Sequence, residues 1–387
     1  MTSVVDHTIP KSENPILASP NPFKLACFSS NIGGGLVMSD VDGLPSATWD
    51  EQVRLVRKAE NAGFEAMIPL ARWRGHGGRI NPAHRSFETF TWAAGLAALT
   101  QRISVFATFH VPTVHPVMAA KMAATVDHIS SGRFGLNIVA GWQPDELAMF
   151  GADKRDHDER YAVADEWAQI VTQLWETEGD SDFHGEFFDV VNAFSEPKPL
   201  QAPGPPMMSA GISPAGQDFA ARHCDMIFAA VENPAKTAEK VAAIKAMARE
   251  RYGRELKVFG VGHITCADTD AEAQAEYRRV IIDHGDWDAA KLTVGKLMAN
   301  SQTVDYESAQ MKGLMEGVIR AFFAHPLTGS PETIVGQIKE MADAGLEGMA
   351  ITWNDYDRGL DQYAQQLDPL LIKAGLRVAA DVASPVA

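Results

Sequence analysis

The 387-residue sequence predicts an α/β fold of the (β/α)8 TIM-barrel class, with insertions. About eight short apolar runs alternate with amphipathic stretches, as expected for parallel strands that are joined by helices. The chain shows no division into two halves, and no Gly-x-Gly-x-x-Gly turn follows the first strand. Both observations argue against an open, doubly wound sheet.

The first half of the chain supplies four of these units. A strand is read from a short apolar run, and a helix from apolar residues that recur every three to four positions. The predicted strands are 23–29, 64–70, 103–109 and 134–140. The predicted helices are 49–63, 87–99, 117–129 and 160–175.

In the second half, the alternating segment 183–194 predicts a surface hairpin, and the proline-rich segment 197–206 predicts a connector. The alternation of strands and helices then resumes. The predicted strands are 207–210, 226–231, 257–266 and 348–352. The predicted helices are 215–222, 234–251, 270–283 and 331–344, followed by a terminal helix.

One barrel domain is expected over residues 23–375. Residues 285–329 interrupt the rhythm and are expected to form an insertion that covers the barrel mouth as a lid, because long loops on rigid scaffolds often do so. Residues 1–22 are expected to form an N-terminal arm, and the tail, 376–387, is expected to fray.

Composition narrows the function. A formal net charge of -16 disfavours nucleic acid and anionic membranes as partners. Three distant cysteines with no Cys-x-x-Cys pair indicate reduced thiols in a reducing compartment. No signal peptide and no stretch of about 18 apolar residues is found, so a cytoplasmic protein is expected.

Barrel enzymes carry their chemistry at the C-terminal ends of the strands. A run of glycines, 33–35, follows the first strand and allows backbone to approach a flat ligand, although a flexible loop explains it equally well. The segment ARWRGHGG, 71–78, follows the second strand. Its two Arg, its Trp and its His favour a ligand-binding loop over a solvated one.

Polar residues also mark the third and fourth strands. Thr108 and His110 end the third strand, where a hydroxyl suits a contact to a ligand ring, although Thr is common in strands. Asn137 interrupts the apolar run FGLNIVAGW, and a buried amide needs hydrogen-bond partners from a ligand or from a neighbouring strand. Trp142 follows, as the wall of an aromatic pocket or as a core residue.

Two later segments suit a phosphate. Ser213, in AGISPAG, stands before a helix, where it caps that helix or contributes to an anion site. Arg160 and Tyr161 open another helix, and a guanidinium there can pair with a phosphate or with solvent. No His-Glu-x-x-His, spaced Cys/His quartet, P-loop or Gly-x-Ser-x-Gly occurs, so no metal is predicted and an organic cofactor is expected.

The segment SSGRFGLNIVAGW resembles the most diagnostic stretch of the bacterial-luciferase-like flavin monooxygenases. LARWRGHGG, RISVFATFHVPTVHPVMAAKMAATVDHISSGRFG, DERY and SAGISPAG resemble the same family in the same order. The likeness covers about 23–265 and, more weakly, 330–375, and it favours the branch of the pyrimidine and dimethyl sulfone monooxygenases. NIGGGLVMSD resembles the sulfone enzyme and WRGHGG the pyrimidine enzyme, whereas the insertion resembles neither.

The resemblance implies a luciferase-like barrel that binds FMN. The positions that match family contacts to FMN are Ala71, Arg72, Thr108, Asn137, Glu146, Arg160, Tyr161 and Ser213. In the family, the residue matched by Asn137 holds the edge of the isoalloxazine, that matched by Ser213 binds phosphate, and that matched by Thr108 lies by flavin N5 and the oxygen pocket. The chain departs at Arg72, where the pyrimidine enzyme has Lys, so a planar fork replaces a point charge. Ala71 replaces a larger aliphatic residue.

The implied activity is that of a two-component monooxygenase. FMNH2 from a separate NAD(P)H:FMN reductase reacts with O2, and a flavin peroxide, at N5 or C4a, transfers one oxygen atom to a small organic substrate. A sulfone or sulfonate, a pyrimidine or related cyclic amide, and a halogenated aromatic all fit as substrate. The alternatives are an F420-dependent hydride-transfer oxidoreductase and a non-catalytic flavin-binding barrel.

The expected catalytic residues are Thr108, Asn137, His76 and His110, and the expected substrate-pocket residues are Trp73 and Trp142. For the two histidines, acid–base work, substrate orientation and a structural hydrogen bond all remain open. Family members usually form homodimers or homotetramers, and the same is expected of this chain.

Overall fold

Eight parallel strands pair in chain order and close into a barrel in the computed structural model, which describes residues 8–152, 155–298 and 305–379. The strands, β1 to β8, are Lys24–Phe28, Ala66–Ile68, Ser104–His110, Phe134–Val139, Met207–Ser209, Met226–Phe228, Lys257–Cys266 and Gly348–Thr352. β8 pairs with β1, and β7 pairs with both β6 and β8, so the ring closes. The predicted TIM barrel is therefore confirmed.

Helices connect the strands on the outside of the barrel. Helices α1 to α8 are Trp49–Asn61, Thr89–Ala97, Pro116–Ser130, His157–Glu176, Pro214–His223, Pro234–Tyr252, Pro331–Asp343 and Tyr356–Gln362. Helices α5, α6 and α7 begin with Pro after a Ser or Asn whose side chain accepts a backbone N–H, a favoured way to start a helix.

Shorter elements complete the chain. The other α-helices are Pro15–Ala18, Pro144–Met149, Asp270–Tyr277, Trp287–Leu297, Ala309–Ile319 and Asp368–Lys373. Arg278–Asp283 and Tyr363–Leu367 are π-helical, and Lys11–Glu13 and Val111–Thr113 are 3-10 turns. The predicted hairpin is formed by two antiparallel strands, Ser181–His184 and Asp189–Ala193. None of the described helices has the length and apolar character that crossing a bilayer requires.

Alternation along the strands creates two apolar layers, one between strands and helices and one inside the barrel. Two aromatic rings in the inner layer face glycines on the neighbouring strand. Phe106 pairs in register with Gly135, and Phe259 pairs with Gly348. A Cβ atom on either glycine would lie 2.5 Å from the facing ring, so only glycine leaves room for these rings.

The N-terminal segment covers the end of the barrel at which the strands begin. Ile9–Pro10 pairs in parallel with Gln201–Ala202. The N–H of Ile16 donates to the Ser104 hydroxyl at 3.3 Å, and the Ile16 side chain is fully buried in the inner apolar layer. The described part of the expected arm is therefore packed on the barrel, whereas residues 1–7 lie outside the described residues.

The predicted insertion contains the helices Trp287–Leu297 and Ala309–Ile319 and a strand, His325–Gly329. Residues 299–304 of the insertion lie outside the described residues. The strand pairs in parallel with the C-terminal half of β7, whereas β6 pairs with its N-terminal half. The insertion thus returns to the barrel along the same edge of β7, above the end of β6.

Asp286 joins this insertion to the loops after β1 and β2. Its N–H donates to the Met38 carbonyl at 2.7 Å, and its carboxylate accepts the N–H of Ile80 at 2.8 Å. Both loops leave the C-terminal ends of strands, so the start of the insertion lies at the barrel mouth. A role as a moving lid stays a prediction.

A buried ion pair fixes the C-terminal segment. Arg377 and Glu65 are each 5% exposed, and the Arg377 Nη1 lies 2.8 Å from both carboxylate oxygens. The same carboxylate accepts the N–H of Leu25 in β1 at 2.7 Å. Leu376 and Arg377 are buried, so the fixed chain extends past the expected start of the tail; residues 380–387 lie outside the described residues.

We expect Arg377→Met to destabilise the protein by about 3–5 kcal/mol, because it leaves the Glu65 carboxylate buried without its cation. Arg54→Met is the matched control, since it removes an exposed partner of Asp357 and is expected to cost less than about 1 kcal/mol. Urea unfolding curves of the three proteins measure the difference. Equal midpoints for the two variants would contradict the importance of the buried pair.

Candidate active site

Polar side chains of β3 and β4 face the inside of the barrel at its C-terminal end. Phe106 belongs to the inner apolar layer, whereas Phe109 belongs to the outer one. Because side chains alternate along a strand, Thr108 and His110 face inward with Phe106. Thr108 pairs in register with Asn137 of β4, so these two polar residues lie side by side.

Thr108 fixes the orientation of the Asn137 amide. The Thr108 hydroxyl donates to the Pro69 carbonyl at 2.5 Å, and a hydroxyl has only one proton to donate. Asn137 therefore presents its Nδ2 to Thr108 Oγ1 as a donor, at 3.1 Å. Asn137 Oδ1 is left buried without a partner among the described residues. An unpaired buried acceptor costs about 1–3 kcal/mol, so this atom marks a place where a ligand N–H is expected.

The Glu146 carboxylate ties the loop after β2 to the end of β4. Glu146 is fully buried in the short helix Pro144–Met149. Its Oε1 accepts the backbone N–H groups of Trp73 at 3.0 Å and Arg74 at 3.1 Å. The Arg72 Nε lies 3.5 Å from the same oxygen. These contacts compensate a buried charge that would otherwise be strongly unfavourable.

Arg72 is held on two sides. Its guanidinium carbon lies 5.6 Å from the centre of the Trp142 ring. With the Gln143 amide oriented so that its oxygen faces Arg72, that oxygen accepts from both terminal nitrogens of the guanidinium. Burial lowers the pKa of Arg72, and the charge of Glu146 opposes this shift. Stacking and a forked donor are features that Lys lacks, which gives the departure from Lys a structural reason.

His110 is buried beside this ion pair. Its Nδ1 lies 3.7 Å from the Glu146 Oε2, which is too long for a hydrogen bond, and neither atom has another partner among the described residues. Burial, and secondarily the charge of Arg72, lowers the pKa of His110 to about 4. The imidazole is therefore neutral near pH 7 and is not an imidazolium acid in the free protein.

His76 connects the loop after β2 to the insertion. Its Nδ1 lies 3.1 Å from the hydroxyl of Thr293, in the helix Trp287–Leu297. Burial, followed by the charges of Arg72 and Lys296, lowers the pKa of His76 to about 3. This second histidine is therefore also neutral near pH 7.

Phe322 of the insertion completes an aromatic group at the mouth. Its ring lies 5.5 Å from that of Trp142 and 6.2 Å from that of His76. Residues 321–323 all have positive φ, of 47°, 53° and 68°. Non-glycine residues rarely adopt such values, and they persist only where surrounding contacts impose them. The unusual backbone is what brings Phe322 to the two other rings.

The structure separates the two expected pocket residues. Trp142 lies in the aromatic group with Phe322, whereas the Trp73 side chain is 41% exposed. Trp73 packs edge-on against Phe150, with ring centres 4.8 Å apart. Ala71, at the start of the same loop, is buried. The roles expected for Trp73, Trp142 and Ala71 stay predictions.

A second group lies at the start of α5. Ser213 caps this helix, and its Oγ accepts the N–H of Gly216 at 3.2 Å. A Cβ atom on Gly211 or Gly216 would lie 2.6 or 2.7 Å from the hydroxyl of Tyr161, so these glycines admit Tyr161 to the helix start. Arg160 donates to the Gly141 carbonyl, and its buried Nε has no partner among the described residues. The three residues expected at a phosphate thus end on neighbouring elements.

Polar residues of β7 and β8 lie on another part of the wall. His263 is fully buried, and its Nδ1 lies 2.9 Å from the Thr352 hydroxyl. Burial, and secondarily Arg320, lowers the pKa of His263 to about 3. A cavity of about 310 Å³ lies outside the ends of these strands, against α8, and is lined by Thr265, Asn354 and Arg358 among others. It does not include the residues around Asn137.

These observations fit FMN better than a metal. The described residues contain no group of three or more His, Cys, Asp or Glu side chains that could hold a metal ion. The buried, unpaired Asn137 Oδ1 suits an N–H of a flavin ring. The capped helix start with Ser213 and Tyr161 suits a phosphate.

Sequence reasoning missed Gln143, Thr293 and Phe322. Gln143 directly follows Trp142, so its position at the end of β4 was the available signal. Thr293 and Phe322 belong to the insertion, where no regular pattern indicates which side chains reach the mouth.

Comparison with known proteins shows which family model, relatives and solved structure the chain resembles. The model of a family described as luciferase-like monooxygenase matches residues 30–348. The pyrimidine monooxygenase RutA of Pseudomonas syringae pv. syringae is 33% identical over 339 residues, which are 84% of this chain and 89% of that protein. RutA of Acinetobacter baylyi is 30% identical over 355 residues, 90% of this chain and 94% of the relative. The structure of riboflavin lyase RcaE with modified FMN and riboflavin has a TM-score of 0.83 at 21% identity and covers 94% of each chain, which shows likeness of fold.

The depressed pKa of His110 predicts a stability change with pH. Its pKa rises from about 4 to the ordinary 6.5 on unfolding, so the unfolded state binds more protons between these values and stability falls as the pH falls. The stability of wild-type protein, relative to His110→Asn, should fall by about 2 kcal/mol from pH 7 to pH 5. Urea unfolding of both proteins at both pH values measures this, and parallel pH profiles would refute the neutral buried state of His110.

Proposed function

Because the chain belongs to the luciferase-like monooxygenase family, we propose that it is the oxygenating component of a two-component flavin monooxygenase. It would take FMNH2 from a separate NAD(P)H:FMN reductase and insert one atom of O2 into a small organic substrate. Reduced FMN, when bound, would supply the electrons that activate oxygen. The observation that carries the proposal is the unpaired, buried Oδ1 of Asn137 on the inward face of β4.

The residues of β3 and β4 would hold the ring system. Asn137 Oδ1 would accept an N–H of the flavin, because the Thr108 hydroxyl already fixes the other end of the amide. Thr108 would stand beside the reacting edge of the ring as a polar contact. Arg72, whose Nε has no hydrogen bond among the described residues, supplies a fixed positive charge next to the same pocket.

Ser213, Tyr161 and Arg160 would hold the phosphate. In the first turn of α5, Pro214 has no N–H and the N–H of Gly216 donates to Ser213, so this turn offers the N–H of Ala215 and the positive end of the helix dipole. The unpaired Nε of Arg160 is a further donor on the neighbouring helix, α4. The acidic net charge of the chain makes such local donors necessary for an anionic cofactor.

Phe322 and Trp142 would exclude water from the reaction. Their rings lie 5.5 Å apart at the mouth, and the insertion that carries Phe322 is joined to the loops after β1 and β2. Exclusion of water protects reactive oxygen species from decay without product. His76 and His110 would orient the substrate as neutral imidazoles rather than act as acids.

A pyrimidine or another cyclic amide is the substrate class that we propose. The relatives named above are pyrimidine monooxygenases, at 30–33% identity over most of both chains. With Asn137 Oδ1 taken by the flavin, the unpaired Glu146 Oε2 also favours a substrate that carries N–H groups. A sulfone presents only acceptors, so it would complement this atom poorly.

The test is turnover with labelled oxygen. We expect purified protein, supplied with FMN, NADH and an FMN reductase under ¹⁸O2, to convert uracil to a product that carries one ¹⁸O atom. Dimethyl sulfone is the comparison substrate, and mass spectrometry identifies the products. Oxygen consumption that yields only H2O2 with every substrate would refute the proposal, as would hydride transfer to F420 without oxygen consumption.

Thr108→Val should retain FMN binding but reduce the amount of product formed per O2 consumed. The variant loses both the hydroxyl at the pocket and the acceptor that orients Asn137. Thr108→Ser keeps the hydroxyl and is the matched control, which should remain coupled. Oxygen-electrode and product measurements on the same samples decide the question, and normal coupling in Thr108→Val would remove Thr108 from the oxygen site.

A further inference from the structure

Thr293 brings a hydrogen-bonding group from the insertion to the barrel mouth. It is 1% exposed and lies in the middle of the helix Trp287–Leu297. Its hydroxyl donates to the Ala289 carbonyl, one turn earlier, at 2.8 Å. The same oxygen lies 3.1 Å from the Nδ1 of His76.

These two contacts favour one tautomer of His76. The Ala289 carbonyl can only accept, so we assign the single proton of the Thr293 hydroxyl to it, and toward His76 the hydroxyl oxygen is then an acceptor. In this arrangement the Nδ1 of His76 is protonated. A neutral imidazole has one N–H, so its Nε2 presents a lone pair. Burial and the nearby charges of Arg72 and Lys296 keep the ring neutral, with a pKa of about 3.

Close packing holds the ring in this position. A Cβ atom on Gly78 would lie 2.5 Å from the backbone nitrogen of Ala289, so the loop after β2 touches the backbone of the insertion helix. A Cβ atom on Gly77 would lie 2.9 Å from the side chain of Leu292. The N–H of His76 is also fixed, because it donates to the Pro82 carbonyl at 3.0 Å.

The Nε2 of His76 is available to a ligand. It has no hydrogen-bond partner within residues 8–152, 155–298 and 305–379. The ring lies against Phe322, which in turn lies against Trp142 beneath the Arg72 guanidinium. The free acceptor therefore belongs to the aromatic group at the barrel mouth, next to the proposed reaction site.

We propose that His76 is a specificity-determining residue whose Nε2 accepts an N–H of the substrate, and that Thr293 is the positioning residue that fixes the tautomer required. The inference rests on the proposed function, because the substrate of that reaction is the partner of Nε2. A substrate with acceptors alone would meet the lone pair of His76 without a hydrogen bond.

The tautomer is measured in the free protein. Two-dimensional ¹H–¹⁵N spectra of protein labelled at histidine separate protonated from unprotonated ring nitrogens, and the loss of one signal set in His76→Gln assigns His76. We expect Nδ1–H in wild-type protein and in Thr293→Ser. In Thr293→Val the acceptor for Nδ1–H is gone, so we expect the Nε2–H form to appear.

The consequence for specificity is measured with three probe substrates. Uracil has two N–H groups, 1,3-dimethyluracil has none, and thymine adds a methyl group without removing a donor. Wild-type protein should prefer uracil over 1,3-dimethyluracil by about tenfold or more in KM, the size expected for one hydrogen bond to a buried acceptor. This ratio should be about tenfold smaller in Thr293→Val, the share of the His76 hydrogen bond, and stay high in Thr293→Ser, with kcat changing less than KM.

Thr237→Val is the matched control for loss of a buried threonine. Thr237 is fully buried in the first turn of α6, and its hydroxyl accepts the N–H of Glu232 at 3.0 Å. This variant should lose stability but keep the wild-type KM ratio. A general packing defect would change the ratio in both valine variants, and that result would refute the positioning role.

The outcomes separate this inference from the proposed function. If wild-type protein oxygenates uracil but the KM ratio survives in Thr293→Val, the inference is wrong and the function stands. A wild-type spectrum that shows Nε2–H for His76 also refutes the inference alone. If wild-type protein oxygenates none of the three rings, the proposed substrate class and the inference fail together.

Discussion

The buried carboxylate of Glu146 is the interaction on which the barrel mouth depends. One of its oxygens accepts two backbone N–H groups of the loop after β2 and lies 3.5 Å from Arg72. That loop cannot move away without leaving a buried charge uncompensated, which is among the most costly changes in a protein interior. The loop also carries His76, which contacts Thr293 of the insertion. By fixing the loop, Glu146 therefore also holds His76 in place between the strand ends and the insertion. Burial lowers the pKa of both His76 and His110, and the charge of Arg72 adds to this shift.

The hydrogen bonds within the site determine which polar atoms are left without a partner. Thr108 occupies one end of the Asn137 amide, whereas the other end has no partner among the residues that the structure describes. Near α5, Ser213 has already capped its helix, yet the Nε of Arg160 remains without a partner in the described chain. An acceptor at one place and a donor at the other would suit the ring and the anionic tail of the flavin that we propose as cofactor.

The fold could be predicted from the sequence because the patterns that indicate strands and helices are local and periodic. The strand predicted at 257–266 is β7, and Thr108 and Asn137, predicted on the third and fourth strands, lie on β3 and β4. The sequence left open whether a ligand or a strand satisfies Asn137, and the structure shows that a strand satisfies only one half. Thr293 and Phe322 could not be predicted, because their positions depend on tertiary contacts of the insertion. Ala and Phe residues do not favour positive φ, so the sequence does not predict the turn at 321–323.

The pairing of Phe106 with Gly135, and of Phe259 with Gly348, constrains how this barrel can diverge. Each ring uses the volume that a side chain on the adjacent strand would need, so the two members of a pair share one space. A larger residue at Gly135 is tolerated only together with a smaller one at position 106, whereas a side chain at Gly348 would also meet the backbone carbonyl of Lys24. Covariation of positions 106 and 135, together with a fixed glycine at 348, is therefore the evolutionary signature that this interior imposes.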